Sequence, residues 1–180
     1  MAQSDSEKCA QYFLQATGEV LKLVLNEAGV REEVTGMAHS GAVSDVVVIL
    51  GLTGEAQEGR VLFELTHDTA LRIVGAMNSG EEFDELNEMA RATVAELGNL
   101  VAGRALTLFN DAGGNLHLSP PLLLYGVGIR IAHFSPANRM SVLSSLGEVG
   151  VNLWLRPKTN SARLPKRPAA GNPAASELIR

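Results

Sequence analysis

The chain has a single cysteine among its 180 residues, so no disulfide can form within it. Cys9 falls on the apolar stripe of a predicted helix, a place that suits a small buried thiol. There is no C-x-x-C pair and no Cys/His cluster, so no zinc pattern is present. His39, His67, His117 and His133 are scattered without ligand spacing. No G-x-G-x-x-G or Walker pattern occurs, which removes the usual phosphate-cradling loops of nucleotide binders. Aromatics are scarce as well: five Phe, two Tyr and one Trp oblige the core to be built from Val, Leu, Ile and Ala. The longest apolar runs, Val46–Leu50 and Pro120–Ile129, fall far short of the ~20 residues that span a bilayer. The opening MAQSDSEKCAQYFLQ has no basic region followed by an apolar run, so no signal peptide is expected. The expected location is the cytoplasm, with no membrane partner.

What the chain does have is ordinary for a globular domain: 46% hydrophobic and 19% charged residues. Its length suffices to bury a sizeable core. The expected organisation is one domain over 1–156 and a tail over 157–180. The tail is rich in Pro, Ala, Asn and Lys, has no periodicity, and is expected to be flexible. Charge divides along the same line. The whole chain carries −5, while residues 156–180 hold six Lys/Arg and one Glu, a net of +5. Residues 1–155 therefore carry −5 minus 5, or −10. An acidic body argues against nucleic acid as the main ligand.

Along the chain, Ser4 with Glu7 predicts a capping box for a helix over Ser4–Ala28. Its apolar stripe is Cys9, Tyr12, Phe13, Ala16, Val20, Leu23 and Val24, and Gly29 is the expected stop. Val30–Gly36 is an edge strand at best, because Glu32 and Glu33 interrupt it. Asp45–Leu52 is a β-branched run without alternation and predicts a central strand covered on both faces. After a polar turn over Gly54–Gly59, Arg60–Thr66 alternates, with Val61, Phe63 and Leu65 on one side. A short helix over His67–Asn78 turns Ala70, Ile73, Val74 and Met77 inward. Asn110–Gly114 is a strong turn signal. Leu116–Leu124 is extended but broken by Pro120-Pro121, and Gly126–His133 alternates weakly. Arg139–Leu146 and Glu148–Arg156 form a closing hairpin near Gly147, with Trp154 on the face opposite Val149, Val151, Leu153 and Leu155.

The stretch Asp84–Phe109 predicts one long helix. Leu86, Met89, Ala90, Thr93, Val94, Leu97, Leu100, Val101 and Leu108 recur near the 3.6-residue period of a buried stripe. Glu81, Glu82, Asp84 and Glu85 crowd its start, where they favour the positive end of the helix dipole. At about 100° per residue, Ala92, Glu96, Asn99 and Gly103 gather on a different face. Glu96 and Asn99 are three apart and stand side by side. Ala92, Ala95, Gly98 and Gly103 leave the surface around them bare enough for a partner's close approach. Segregation of strands from long helices makes the chain α+β: one sheet of about five to six strands, with two long helices and a shorter one on a face.

Glu96-Leu97-Gly98-Asn99, inside AELGNLVAGRAL, resembles the E-x-x-N signature of the CheX and CheC chemotaxis phosphatases. The order of elements resembles the CheX fold over roughly 5–156. LSPPLLLYGVG resembles that family's Pro-containing stretch after the long helix. A single E-x-x-N copy, since Glu85-Leu86-Asn87 has the wrong spacing, favours CheX over the two-motif CheC.

The resemblance implies hydrolysis of the phospho-aspartate on a CheY-type response regulator. Asn99 would orient the attacking water and Glu96 would engage the regulator's lysine. Ala92, Ala95, Gly98 and Gly103 would let the helix enter the regulator's pocket. No cofactor of the chain's own is implied, because the Mg²⁺ comes with the regulator. The resemblance also implies a homodimer. One departure stands out: the family's fuller motif often has Asp or Ser at the position of Ala92. That leaves a non-catalytic binder of the phosphorylated regulator as an alternative, and a structural relative of the flagellar switch proteins as another.

Overall fold

A computed structural model describes residues 4–26, 29–40 and 43–158. The end of the first helix expected at Ala28, and the tail beyond Lys158, lie outside the described residues. Helix α1 (Asp5–Leu25) starts as its capping box requires. The Glu7 amide donates to the Ser4 hydroxyl at 3.2 Å, and the Ser4 amide donates to the Glu7 carboxylate at 3.0 Å. Its last described turn ends at Leu25, where Asn26 turns left-handed at φ 49°, a region Asn tolerates. Cys9, Phe13, Ala16 and Leu21 are fully buried, whereas Leu23, expected on the stripe, is 82% exposed.

Strand β1 (Arg31–Ser40) is longer than expected and, among the described residues, pairs only with β6, so it is an edge. Strands β2 (Ser44–Gly54) and β3 (Gln57–Leu65) form a hairpin that sets Val48 opposite Phe63. Helix α2 (His67–Met77) is capped by the Thr66 side chain and buries Ala70, Ile73 and Val74, as its pattern predicts. Helix α3 (Glu88–Asp111) follows. Strands β4 (Leu116–Leu118) and β5 (Leu122–Ile129) both pair with β2, one after the other along its free side. Pro120-Pro121 separates them because proline has no amide hydrogen to offer a ladder. Strands β6 (Ala132–Ser144) and β7 (Gly147–Pro157) make the closing hairpin, with Gly147 at φ 127°.

All pairings are antiparallel, in the order β1-β6-β7-β3-β2-β4 with β5 also on β2. The seven strands among the described residues exceed the five to six read from sequence. The extra strand arises because the Pro-broken stretch pairs on both sides of its break. The helices cover one face. There Val46, Val48, Val61, Phe63, Val151 and Leu153 join Phe13, Ile73, Val94, Leu97 and Val101 in one buried cluster.

On the opposite face two guanidinium groups lie over the Trp154 ring, Arg60 at 5.5 Å and Arg156 at 4.9 Å from its centre, an attraction of cation for π-face. Val47 is fully buried on that face, but Ile49 and Gly51 are half-buried and Thr53 is exposed. Strand β2 is therefore covered completely on the helix side and partly on the other. Two polar side chains are buried there together: the Asn152 amide donates to Glu64 at 2.8 Å. No helix among the described residues is long and apolar enough to cross a membrane.

Candidate functional site

Helix α3 begins at Glu88, four residues after the expected start. Asn87 caps it, its side-chain oxygen accepting from the Ala90 amide at 2.9 Å. Glu81, Glu82, Asp84 and Glu85 therefore lie in the connection before the helix, and only Glu88 is acidic in the first turn. Leu86 is buried from that connection rather than from the helix. The far end is held by Asn110, whose side chain accepts from the Leu116 amide and donates to the Leu116 carbonyl, both at 3.0 Å.

The buried side of α3 mixes small residues with larger apolar ones. Ala90, Val94, Leu97, Gly98, Val101, Ala102, Ala105, Leu106 and Phe109 face the sheet and α1. At Gly98 the backbone lies close to Val48 of β2, and two larger apolar residues remain outside. Met89 is 55% and Leu100 44% exposed. Both were assigned to the buried stripe from sequence.

The opposite side carries Ala92, Glu96 and Asn99, all exposed, with Ala95 and Gly103 half-buried beside them. Glu96 and Asn99 have no hydrogen-bond or ion-pair partner among the described residues. Ala92 borders an open groove with Glu81, Phe83, Asn87, Glu88 and Met89. At Gly103 an added Cβ would meet nothing within 4 Å. Gly98 is the exception and corrects the sequence reading. It is buried, and a Cβ there would stand 2.7 Å from Val48 Cγ1. Gly98 belongs to the contact between helix and sheet and is unavailable to a partner. The structure thus brings Glu96, Asn99, Ala92, Ala95 and Gly103 onto one accessible face and removes Gly98 from it.

Both flanks of this face are tied down. On one side Arg104 Nε donates to Glu19 of α1 at 2.6 Å. That bond, then one from Gln15, holds the Glu19 carboxyl below the usual range. On the other side the Arg91 guanidinium lies 5.2 Å from the Tyr125 ring centre on β5 and donates to the Leu86 carbonyl at 2.9 Å. Asp45 accepts from the Gly128 and His67 amides, each at 3.2 Å, and these bonds lower its pKa. Sequence reasoning missed Asn87, Asp45 and the Arg91–Tyr125 contact. The Asn87 signal was available, an N-cap residue type directly before the helical run. The other two depend on register, which no local pattern encodes.

The remaining candidates stay apart. Of the four histidines, the described side chains are those of His67, half-buried beside Asp68, and His117, exposed. Among the described residues no three His, Cys, Asp or Glu side chains converge to hold a metal ion. Cys9 is fully buried, and burial, with the charge of Asp5, pushes its thiol up to about 12. It is a packing residue.

A face of this kind, a carboxylate and an amide one turn apart on a helix of small residues, suits insertion into a shallow polar pocket. Comparisons with known proteins agree with the sequence resemblance. The family model "Chemotaxis phosphatase CheX" matches residues 46–144, a span that contains most of β2 and all of β3, α2 and α3. The CheY-P phosphatase CheX of Thermotoga maritima is 28% identical over 146 residues, covering 79% of this chain and 92% of that protein. A CheC-like superfamily protein from Shewanella sp. PV-4 superposes with a TM-score of 0.75 at 24% identity, covering 83% of this chain and 97% of the other. CheX from the CheX–CheY–BeF₃–Mg²⁺ complex of Borrelia burgdorferi superposes with a TM-score of 0.64 at 28% identity, covering 82% and 97%.

Proposed function

The chain belongs to the chemotaxis phosphatase CheX family, and from that membership we propose that it hydrolyses the phospho-aspartate of a CheY-type response regulator. In this reading Asn99 orients the attacking water and Glu96 engages the regulator's active-site lysine. The single observation that supports it best is that both side chains are exposed on α3 and have no partner within the described residues. A structural polar pair would be committed to its own fold; these two are free to bind something else.

The chemistry needs little more. Phosphoryl transfer passes through a loose transition state, so placing the nucleophile in line and matching charge matter more than a strong base. An amide both donates and accepts, so Asn99 can hold a water by its hydrogen and lone pair while touching a phosphoryl oxygen. A carboxylate at Glu96 meets an ammonium group through a charge-assisted hydrogen bond, which fixes the helix in register. The Borrelia relative is seen with CheY, BeF₃ and Mg²⁺, and the Thermotoga relative is named for CheY-P. On that pattern the phosphoryl group, the metal ion and the lysine come with the regulator, and this chain adds a water-holding amide and a shaped surface.

Ala92 favours one second reading. It is exposed next to Glu96 and offers no hydroxyl or carboxylate, so the chain could hold a phosphorylated regulator without hydrolysing it. One experiment separates the two: measure the phosphate lifetime on receiver domains from the same cell, with and without this protein. Shortening supports the phosphatase; an unchanged lifetime at saturating protein leaves the binder.

We also propose a homodimer that pairs sheet edges. Strand β1 is an edge, and its Val34 and Met37 are 71% and 63% exposed, an arrangement that invites a second strand. A monomer mass in solution at micromolar concentration would rule this out.

A further inference from the structure

We propose that Gly98 and Val48 together set the height of α3 above the sheet, which makes Gly98 a positioning residue for Asn99. The inference rests on the phosphatase reading of Asn99 and deepens it. Gly98 precedes Asn99 in the chain and, about 100° round the helix from it, faces β2. A Cβ there would lie 2.7 Å from Val48 Cγ1, 3.3 Å from Val48 Cβ and 3.5 Å from Phe63 Cδ2. Ordinary carbon contacts are about 3.5–4.0 Å, so one methyl group demands a displacement on the order of 1 Å.

The sheet side cannot give way. Val48 is 1% and Phe63 2% exposed. Val48 lies on β2 between the register partners Phe63 of β3 and Leu123 of β5. Its β-branch leaves it few rotamers. The helix cannot share the displacement along its length either. Upstream, Asn87 caps it, and the Asn78 amide donates to the Thr93 hydroxyl at 3.3 Å. Downstream, Arg104 is paired with Glu19, the Phe109 ring meets Tyr12 edge-on at 6.3 Å, and Asn110 brackets Leu116. A methyl at residue 98 therefore bows the middle of α3, where Glu96 and Asn99 stand. These two must reach a lysine and a water in one docked pose. A misplacement of about 1 Å costs up to ~10²-fold in rate.

The test uses Gly98→Ala, Val48→Ala and the double variant in the full chain. Affinity is measured against a receiver carrying BeF₃ and Mg²⁺, and turnover against the same receiver phosphorylated by a small acyl phosphate. Gly98→Ala is expected to bind within about threefold of wild type while kcat falls roughly 10- to 100-fold. Val48→Ala removes the atom the new methyl strikes, so the double variant should recover the kcat of Val48→Ala. Crystal structures should show the middle of α3 raised off β2 in Gly98→Ala and returned in the double variant. A kcat equal to wild type, an unshifted helix, or a double variant as slow as Gly98→Ala while Val48→Ala is fast would each overturn the inference. Should Gly98→Ala not fold, Val48→Ile presses on the same contact from the sheet side, and wild-type turnover there overturns it equally. A wild-type protein that leaves the phosphate lifetime unchanged sinks the phosphatase reading instead. The crystallographic displacement still decides whether Gly98 and Val48 set the helix.

Discussion

Two glycines of α3, five residues apart, stand on opposite terms with the fold. An extra methyl at Gly98 would strike Val48, whereas one at Gly103 would meet open space. About 140° of helix rotation separates them. The same contrast divides the whole helix. Its inner side is a seat, where Ala90, Gly98, Ala102 and Ala105 bring the backbone close to its neighbours. On its outer side Glu96 and Asn99 stand free among Ala92, Ala95 and Gly103, and on the phosphatase reading that side is the tool. Small residues stand on both sides: inward they allow packing, and on the phosphatase reading outward they allow approach. The outer side can hold a demanding geometry because the inner side leaves it no freedom to shift.

The largest expected effect divides the two sides most sharply. Asn99→Ala removes an exposed amide with no internal partner, so folding stability should change by no more than about 0.5 kcal/mol. Turnover should fall on the order of 10²- to 10³-fold, the usual cost of removing one group that acts only in the transition state. Affinity for a BeF₃-bearing receiver should stay within a few-fold. Phosphate release, urea midpoint and affinity measured on one preparation check this. A variant that releases phosphate at the wild-type rate would show that the outer side is not the tool.

The inner and outer sides were not equally legible in the sequence. The E-x-x-N spacing was visible, because three residues along a helix bring two side chains to one surface whatever lies beneath. The strands of the β2–β3 and β6–β7 hairpins were legible too, since runs such as Val61, Phe63 and Leu65 repeat with the period of a strand. The Ser4–Glu7 cap was written in two residues. The buried side of α3 was legible in part: Ala90, Val94, Leu97 and Val101 are buried as their period predicts. Alanine and glycine carry almost no apolar signal, so Gly98, Ala102 and Ala105 were passed over while the larger Met89 and Leu100, which are outside, were counted in. The same error put Gly98 on the docking surface. Only the distance to Val48, on a strand fifty residues away in the chain, shows where it belongs. The start of α3 was misread because four acidic residues imitate a first turn, while the cap itself is Asn87.

A smaller effect sharpens the contrast between the glycines. Gly103→Ala gains helix propensity without any clash, so stability should rise by about 0.5–1 kcal/mol. If the outer side docks as closely as its small neighbours allow, the added methyl should weaken affinity for the BeF₃-bearing receiver several-fold. The expected pairing is a higher urea midpoint with a poorer dissociation constant, the reverse of Gly98→Ala, which should keep affinity and lose turnover. An unchanged dissociation constant would place the regulator's footprint short of Gly103.

The smallest expected effect concerns the flanks that hold α3 between its two roles. Glu19, bonded to Arg104 and Gln15, and Asp45, bonded to the Gly128 and His67 amides, both have folded pKa values below their ordinary ones. A depressed carboxyl contributes stability above its unfolded pKa, about 4 for Asp and Glu, and loses it as pH falls through the folded value. Wild-type stability should therefore decline below about pH 4, and Glu19→Gln and Asp45→Asn should each flatten that decline. Salt separates the two flanks. The Glu19–Arg104 pair is largely exposed, with side chains 37% and 45% accessible, so about 1 M salt should erase most of its share. Asp45 works through backbone amides on two different elements, and its share should survive. Urea midpoints at pH 7 and pH 3, with and without salt, read both. Equal salt sensitivity of the two variants would mean that the β5 side is held by charge alone rather than by the hydrogen bonds of Asp45.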